Sequence, residues 1–374
     1  MQIHALEGAQ GLRRFVSAPW KILDSAAYPQ WIPPLRVSVT SNLDPGANPF
    51  FRNAQRALFL AEEGGRPLGR IAAIHNGWLK DAGQDPGIFG YFECVDRQDV
   101  ASALFQAAEA WLKEWGCRRV VGPWNPSSNY DGGILVGGFE HPQTFFTSWN
   151  PEYYGGLLEG AGYAKAKDLL AWHLDIEKAE RGVMERFGHL VRSMGERSGL
   201  EVQPIDLKNF DATMRRCWHV YTECWKSNWG FCPLSVEEWM YLGKEMRPLM
   251  VPGGGVQVMS KGEIIGFVLA MPDYNRAMQR DRSGRLFPLN WLRLLRGRVR
   301  APWVRTLLAG VLPGHRRKGV LSLMLYAALR SAPRYGVQHL EASWILEDNT
   351  EMNSVLEAME ADPYRRWRIY ERGI

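Results

Sequence analysis

The sequence predicts an α/β (α+β) chain made of two tandem copies of one unit, each a mixed central sheet flanked by helices. Length, an internal repeat and a shared order of elements carry this reading. At 374 residues, with 46% hydrophobic and 23% charged residues, the chain exceeds the size at which one core usually stops growing, and it has apolar residues enough to fill two. EEGGRPLGRIAAIHN at 62–76 and MSKGEIIGFVLAMPDYN at 259–275 both read as hairpins, and an offset of 197 places Gly65 on Gly262 and Gly69 on Gly266. NPEYYGGLLEGAGY from Asn150 and NTEMNSVLEAMEAD from Asn349 match again at an offset of 199. Two nearly equal offsets argue for duplication.

The elements follow in the same order in each half. The first hairpin leads to the strand GIFGYFECV, to DVASALFQAAEAWLKEWG with apolar residues at helical spacing, and to the strand CRRVVGPWN. The second leads to VRTLLAGVL, SLMLYAALRSAPRYG and HLEASWIL. Each half ends in a helix and a further strand, and helices alternating with strands imply a mixed or parallel sheet. The charged segment 176–205 separates the copies, so the expected domains are 1–178 and 179–374.

At the end of VRTLLAGVL the sequence reads Pro313-Gly314-His315-Arg316-Arg317-Lys318-Gly319-Val320, and a helix follows. A basic, glycine-containing turn at a helix N-terminus offers free backbone N–H groups and the positive end of the helix dipole to an anion. Arg316, Arg317 and Lys318 add charge, and Gly319 lets the backbone approach a ligand without a Cβ. The corresponding turn of the first copy, Asp96-Arg97-Gln98-Asp99, is acidic and glycine-free, so it is expected to have lost any anion cradle.

The strand, the Arg316-x-x-Gly319 turn and the helix resemble the pyrophosphate-binding motif [RQ]xxGx[GA] of the GCN5-related N-acetyltransferases (GNAT). The resemblance implies that backbone amides of about 316–321, including Arg317, Lys318, Val320 and Leu321, hold the pyrophosphate of acetyl-CoA or another acyl-CoA. The pantetheine would lie between strands 304–312 and 339–346, beside Val311 and Leu312, with Asn349 matching the asparagine after the second strand. Two positions depart from the pattern: Leu321 stands where the family has Gly or Ala, and Leu356 where many members carry the tyrosine that protonates the leaving thiolate. Beyond the motif, SWILEDNTEMN, NWGFCPL, GRLFP and GPWNPSSN resemble a bacterial group of tandem GNAT-like proteins over most of the chain.

N-acyl transfer needs a base for the attacking ammonium and an N–H group to polarise the thioester carbonyl. Glu341 and Glu347 flank the strand HLEASWIL and are the candidate bases; Tyr364 of the C-terminal strand is a candidate acid. The glutamates have a structural alternative as surface or helix-capping carboxylates, and Tyr364 as a structural aromatic of the C-terminal strand. Asp273 and Asn275, at the end of the second hairpin, Asn228 and Trp229, and Trp344 on the strand are candidate acceptor-binding residues. The sixteen tryptophans are expected in the core, at the interface of the halves, or lining an aromatic pocket.

The five cysteines form no CxxC pair, and no His/Cys/carboxylate set has metal-ligand spacing. No apolar run approaches a membrane span, so a cytoplasmic protein is expected. The segment 276–305 holds nine arginines and one acidic residue; it could meet phosphates of CoA, RNA or a membrane surface or dock an acidic acyl carrier protein, with a solvated amphipathic helix or a CoA phosphate contact favoured over RNA. The leading function is acyl-CoA- or carrier-protein-thioester-dependent N-acylation of a small amine. Two alternatives stay open: a Fem-like transferase using aminoacyl-tRNA, and a non-catalytic ligand-binding protein.

Overall fold

Both predicted hairpins are present in the computed structural model, which describes residues 1–374 apart from 85, 299 and 300. The first half runs β1 (Gln2–Leu6), α1 (Gly8–Ser17), β2 (Ala54–Glu63), β3 (Arg66–Asn76), β4 (Gly87–Cys94), α2 (Gln98–Glu114), β5 (Arg119–Gly122), β6 (Ile134–Gly137), α3 (Tyr153–Gly160) and β7 (Ala164–Asp175). After α4 (Glu185–Ser198) come β8 (Glu201–Pro204), α5 (Phe210–Trp225), α6 (Val236–Met246), β9 (Gly255–Ser260), β10 (Glu263–Pro272), α7 (Asn290–Gly297), β11 (Trp303–Val311), α8 (Val320–Ser331), β12 (His339–Leu346), α9 (Thr350–Ala358) and β13 (Asp362–Gly373). From hairpin to last strand, both lists keep the order strand, helix, strand, helix, strand, with β6 additional in the first half and α7 in the second.

Local sequence explains the helices. Along α2 the buried residues Val100, Ala101, Leu104, Phe105, Ala108 and Leu112 recur at the spacing that puts one stripe against a sheet. Ser235 begins α6 by accepting from the Glu238 N–H, as a side-chain cap should. The glycines at the hairpin turns, Gly65 and Gly262, have φ of 77° and 83°, a conformation that a side chain resists.

All these strands join one thirteen-stranded sheet, because the last strand of each half completes the sheet of the other. β7 leaves the first half and pairs antiparallel with β12, with Leu340 opposite Leu174. β13 returns and pairs with β5, with Tyr370 opposite Gly122. The two exchanged strands also pair with each other, from Asp362 opposite His173 to Glu371 opposite Ala164. Side chains follow the backbone: Trp367, Ile369 and Tyr370 of β13 are buried in the first half's core, while Trp172 and Leu174 of β7 pack with Leu356 and Met359 of the second half. Burying each large apolar side chain contributes roughly 1.5–3 kcal/mol, so the exchange ties the halves as firmly as a core.

Candidate active site

β11 and β12 run parallel and pair only from Trp303–His339 to Thr306–Ala342. Beyond Thr306 they part. Leu307 sits in a bulge at the parting point, since Leu269 faces Leu308 while Ala270 faces Thr306, and a bulge leaves an extra residue out of the ladder. On β12 the register against β7 also slips, leaving Ser343 and Trp344 between the Ala342–Trp172 and Ile345–Leu170 pairs. The wedge between the strands opens into a cavity of about 1190 Å³, walled by Thr306, Leu308, Val311, Trp344, Leu346 and Asn349 among others. Gly310 makes room on the far side, because a Cβ there would stand 2.5 Å from the Trp225 ring.

At one end of this cavity the turn before α8 has φ of 57° at Arg317 and 75° at Gly319, and no side chain caps the first turn of the helix. Left-handed residues followed by uncapped helical N–H groups form an anion-binding concavity. Arg317, Gly319 and Leu321 line the cavity. Arg316 does different work: its guanidinium donates to the carbonyls of Val311 at 3.2 Å and Cys224 at 3.0 Å, pinning the turn to β11 and α5. Lys318 bonds back to the Gly314 carbonyl, and Val320 is buried in the core under α8. In the first half the equivalent turn is filled by its own side chains, with Arg97 bound to both Asp99 and Glu63.

A second cavity of about 440 Å³ lies between the halves. Eight of the sixteen tryptophans line it, Trp20, Trp31, Trp124, Trp149, Trp225, Trp229, Trp239 and Trp344. Asn228, Trp229 and Trp344 belong to both cavities, so the two share a wall where β11 and β12 divide. The loop 125–131 builds one side and is held across the halves by Ser128 to the Gly230 carbonyl, 2.7 Å, and by Tyr221 to Asn129, 2.8 Å. Asp131 at the end of this loop lines the cavity; burial pushes its carboxyl up to about 6, against an Asn125 hydrogen bond and the charge of Arg305. The Tyr91 hydroxyl and Trp344 indole N–H, both on this wall, have no hydrogen-bond partner among the described residues.

Comparison with known proteins agrees with this geometry. Residues 214–359, the segment containing the split strands and the turn, match the profile of the Acetyltransferase (GNAT) family. Over 372 residues the chain is 32% identical to the "Bacterial ceramide synthase" of Caulobacter vibrioides, covering 97% of this chain and 95% of that one. This chain belongs to the GNAT family. It is equally similar, 32% over 377 residues, to Protein YghO of Escherichia coli, covering 97% of this chain and 93% of the relative. Among solved structures, a tandem GNAT protein from the clavulanic acid biosynthesis pathway superimposes with a TM-score of 0.60 at 13% identity, over 100% of this chain and 98% of its own. A GNAT from Sphaerobacter thermophilus gives 0.55 at 12% identity, over 99% and 95%. The chain is thus a tandem GNAT fold and an N-acyltransferase.

Within this GNAT fold the residues singled out from sequence fall into two groups. Val311, Arg316, Arg317, Gly319, Leu321 and Asn349 line the larger cavity, although the Asn349 side chain also caps α9 by accepting from the Met352 N–H. Leu312 instead continues the ladder to Ile265. Glu341, Glu347 and Tyr364 line neither cavity. Glu341 is fully buried: it accepts from Ser343 at 2.5 Å and Thr144 at 2.6 Å, and from the Tyr364 hydroxyl. Burial alone would raise its pKa, but the charges of Arg365 and Arg305 outweigh this and hold it below the ordinary range. It is therefore an anchored anion. Glu347 pairs with Lys165 at 2.6 Å and accepts from the Asp168 N–H.

Asp273 and Asn275 also face inward. Asp273 caps the turn after β10 and accepts from the Phe145 N–H at 3.0 Å, and Asn275 donates to the Gln143 carbonyl at 3.1 Å. Both bind the loop 142–147 of the first half to the second. Hairpin-end position suggested a ligand site, but once the halves close, this position meets the neighbouring copy. One cavity carboxylate that sequence reading passed over is Asp131. Its signal was the polar run Asn125 to Tyr130 among aromatics, one residue short of the carboxylate. Among the described residues no group of three His, Cys, Asp or Glu could hold a metal ion, and no helix is long and apolar enough to cross a membrane.

Proposed function

We propose that this protein transfers an acyl group from a CoA or carrier-protein thioester to the primary amine of an acceptor with an apolar tail, held in the aromatic cavity. The carrying observation is the shared wall: Asn228, Trp229 and Trp344 stand at the division of β11 and β12, where donor cleft and second cavity meet. The turn at Arg317–Gly319 is suited to the donor's phosphates, because its uncapped N–H groups are otherwise unpaid. When bound, the thioester supplies the acyl group. Backbone N–H groups at the Leu307 bulge polarise its carbonyl, and Asp131 takes the proton from the acceptor's ammonium so that nitrogen can attack carbon as the C–S bond breaks. The proton on the departing thiol comes from solvent, since Leu356 replaces the usual tyrosine and is buried. The unpartnered Tyr91 hydroxyl and Trp344 N–H suit hydroxyl groups beside the amine, and similarity to a bacterial ceramide synthase favours a long-chain amino alcohol.

Incubation with acetyl-CoA, palmitoyl-CoA and palmitoyl carrier protein against short amines and long-chain amino alcohols, read by mass spectrometry, tests this reading. Amide formation should favour the long-chain acceptor; acylation of short amines alone would defeat the choice of acceptor, and no product with any donor would defeat the whole. The proton's route has its own test. With Asp131 ionising at about 6, kcat/KM should rise with pH through that value and level off above it. Asp131→Asn should lose this limb and about a hundredfold or more of the rate.

A further inference from the structure

Five of the ten exposed large hydrophobic side chains among the described residues fall within nine positions: Phe287, Leu289, Trp291, Leu292 and Leu295. Phe287 is 66% exposed and Leu295 47%. Single exposed apolar residues are ordinary, but a contiguous group marks a docking surface. This group is held in place. Leu294 and Asn290 of α7 are buried, and the Asn290 amide donates to the Arg285 carbonyl at 2.8 Å. On the opposite side Trp291, Leu292 and Leu295, at i, i+1 and i+4, share one face, and the Trp291 ring lies 6.3 Å from Phe287.

Charge identifies the occupant. From Arg282 to Leu340 the sequence has eleven arginines, one lysine and no acidic residue. Several are spent internally: Arg282 on the Ser25 carbonyl, Arg293 on Asp281 and Arg298 on the Met250 carbonyl. Val299 and Arg300 lie outside the described residues. Arg285 and Arg296 are exposed beside the apolar face and form no ion pair among the described residues. A short amphipathic helix with Trp and Leu outward, preceded by an exposed Phe, flanked by arginines and free of acids, has the chemistry of an interfacial anchor on anionic lipid. A second copy would bring the same basic stretch against itself.

We propose that the segment Arg285–Gly297 docks the protein on an anionic lipid surface, its apolar side chains entering the acyl region and its arginines meeting headgroup phosphates. Just past α7, Arg298, Ala301 and Pro302 line the donor cavity, so docking sets this side of the cleft toward the lipid. The inference rests on the surface and is independent of the acceptor's identity.

Sedimentation of the full chain with vesicles of phosphatidylcholine, with and without phosphatidylglycerol, tests it. The protein should pellet with the anionic vesicles, less so at high salt, and stay in solution with the neutral ones. Leu292→Asp with Leu295→Asp should reduce anionic-vesicle binding by about tenfold or more while keeping wild-type CoA affinity and unfolding temperature. If that pair fails to fold, Arg285→Glu with Arg296→Glu leaves the apolar face intact and should also release the protein. Failure to bind anionic vesicles, binding that neither pair weakens, or a wild-type dimer that the Asp pair dissociates would each overturn the proposal. So would salt-sensitive binding to an acidic carrier protein through this face with no vesicle binding.

Discussion

Gly319→Glu should weaken CoA binding by at least about a hundredfold, roughly 3 kcal/mol, with little change in the cooperativity of unfolding. Two effects add at this position. The residue before α8 sits at φ 75°, and a side chain forced into left-handed geometry costs on the order of 1–2 kcal/mol. A carboxylate would also occupy the place beside the uncapped N–H groups where the donor's phosphates are proposed to bind, adding like-charge repulsion. Titration calorimetry with CoA reads the effect directly. Gly319→Ala separates the two contributions, because it carries the backbone strain without the charge and should lose only part of the affinity. Equal affinities for wild type and Gly319→Glu would move the donor's phosphates away from this turn.

Glu341→Ala should destabilise the fold by about 3–5 kcal/mol, because it leaves two buried arginines without their shared anion. Arg305 lies 3.6 Å and Arg365 3.7 Å from the Glu341 carboxylate, and both arginines also reach the first-half loop: Arg305 donates to the Phe145 carbonyl, and Arg365 to Thr144. Loss of the carboxylate therefore loosens the seam between the halves. The effect has a pH signature. A carboxyl held below its ordinary 4.5 binds protons less tightly folded than unfolded, so its stabilisation is complete above the ordinary carboxylate range and is lost as pH falls through the lowered value. Urea unfolding at neutral pH, repeated as the buffer is acidified, should show the wild type losing stability faster than Glu341→Ala. A catalytic base would behave otherwise, with lost activity and little lost stability.

The hairpins, the duplication and the basic turn were legible because each depends on neighbours in sequence. Turn glycines, alternating strands and a helix start are local requirements, and Arg316 to Gly319 spans only one turn of chain. The role of Arg316 was less legible: its charge pointed to phosphate, but folding brings the Val311 and Cys224 carbonyls within reach, and these take the guanidinium first. Asp273 and Glu341 illustrate the same limit. A carboxylate near a strand end looks available until the opposite half closes over it. Asp131 shows the converse, an ordinary loop residue made a candidate base by burial at the cavity between the halves, within reach of the charge of Arg305 from the second.

By itself the sequence determined the repeated α/β unit and the positions of the basic, glycine-containing turn in the second copy and the acidic, glycine-free turn in the first, since these depend on neighbours in sequence. Only the tertiary structure decided that β7 and β13 change places, that the halves consequently form one sheet, and that the aromatic cavity arises between them. The two copies offer final strands of similar length and pattern, 12 residues each, so nothing local distinguishes pairing within a copy from pairing across it. The choice is made by burial: each strand fills the other half's core, and that complementarity exists only once both halves are folded.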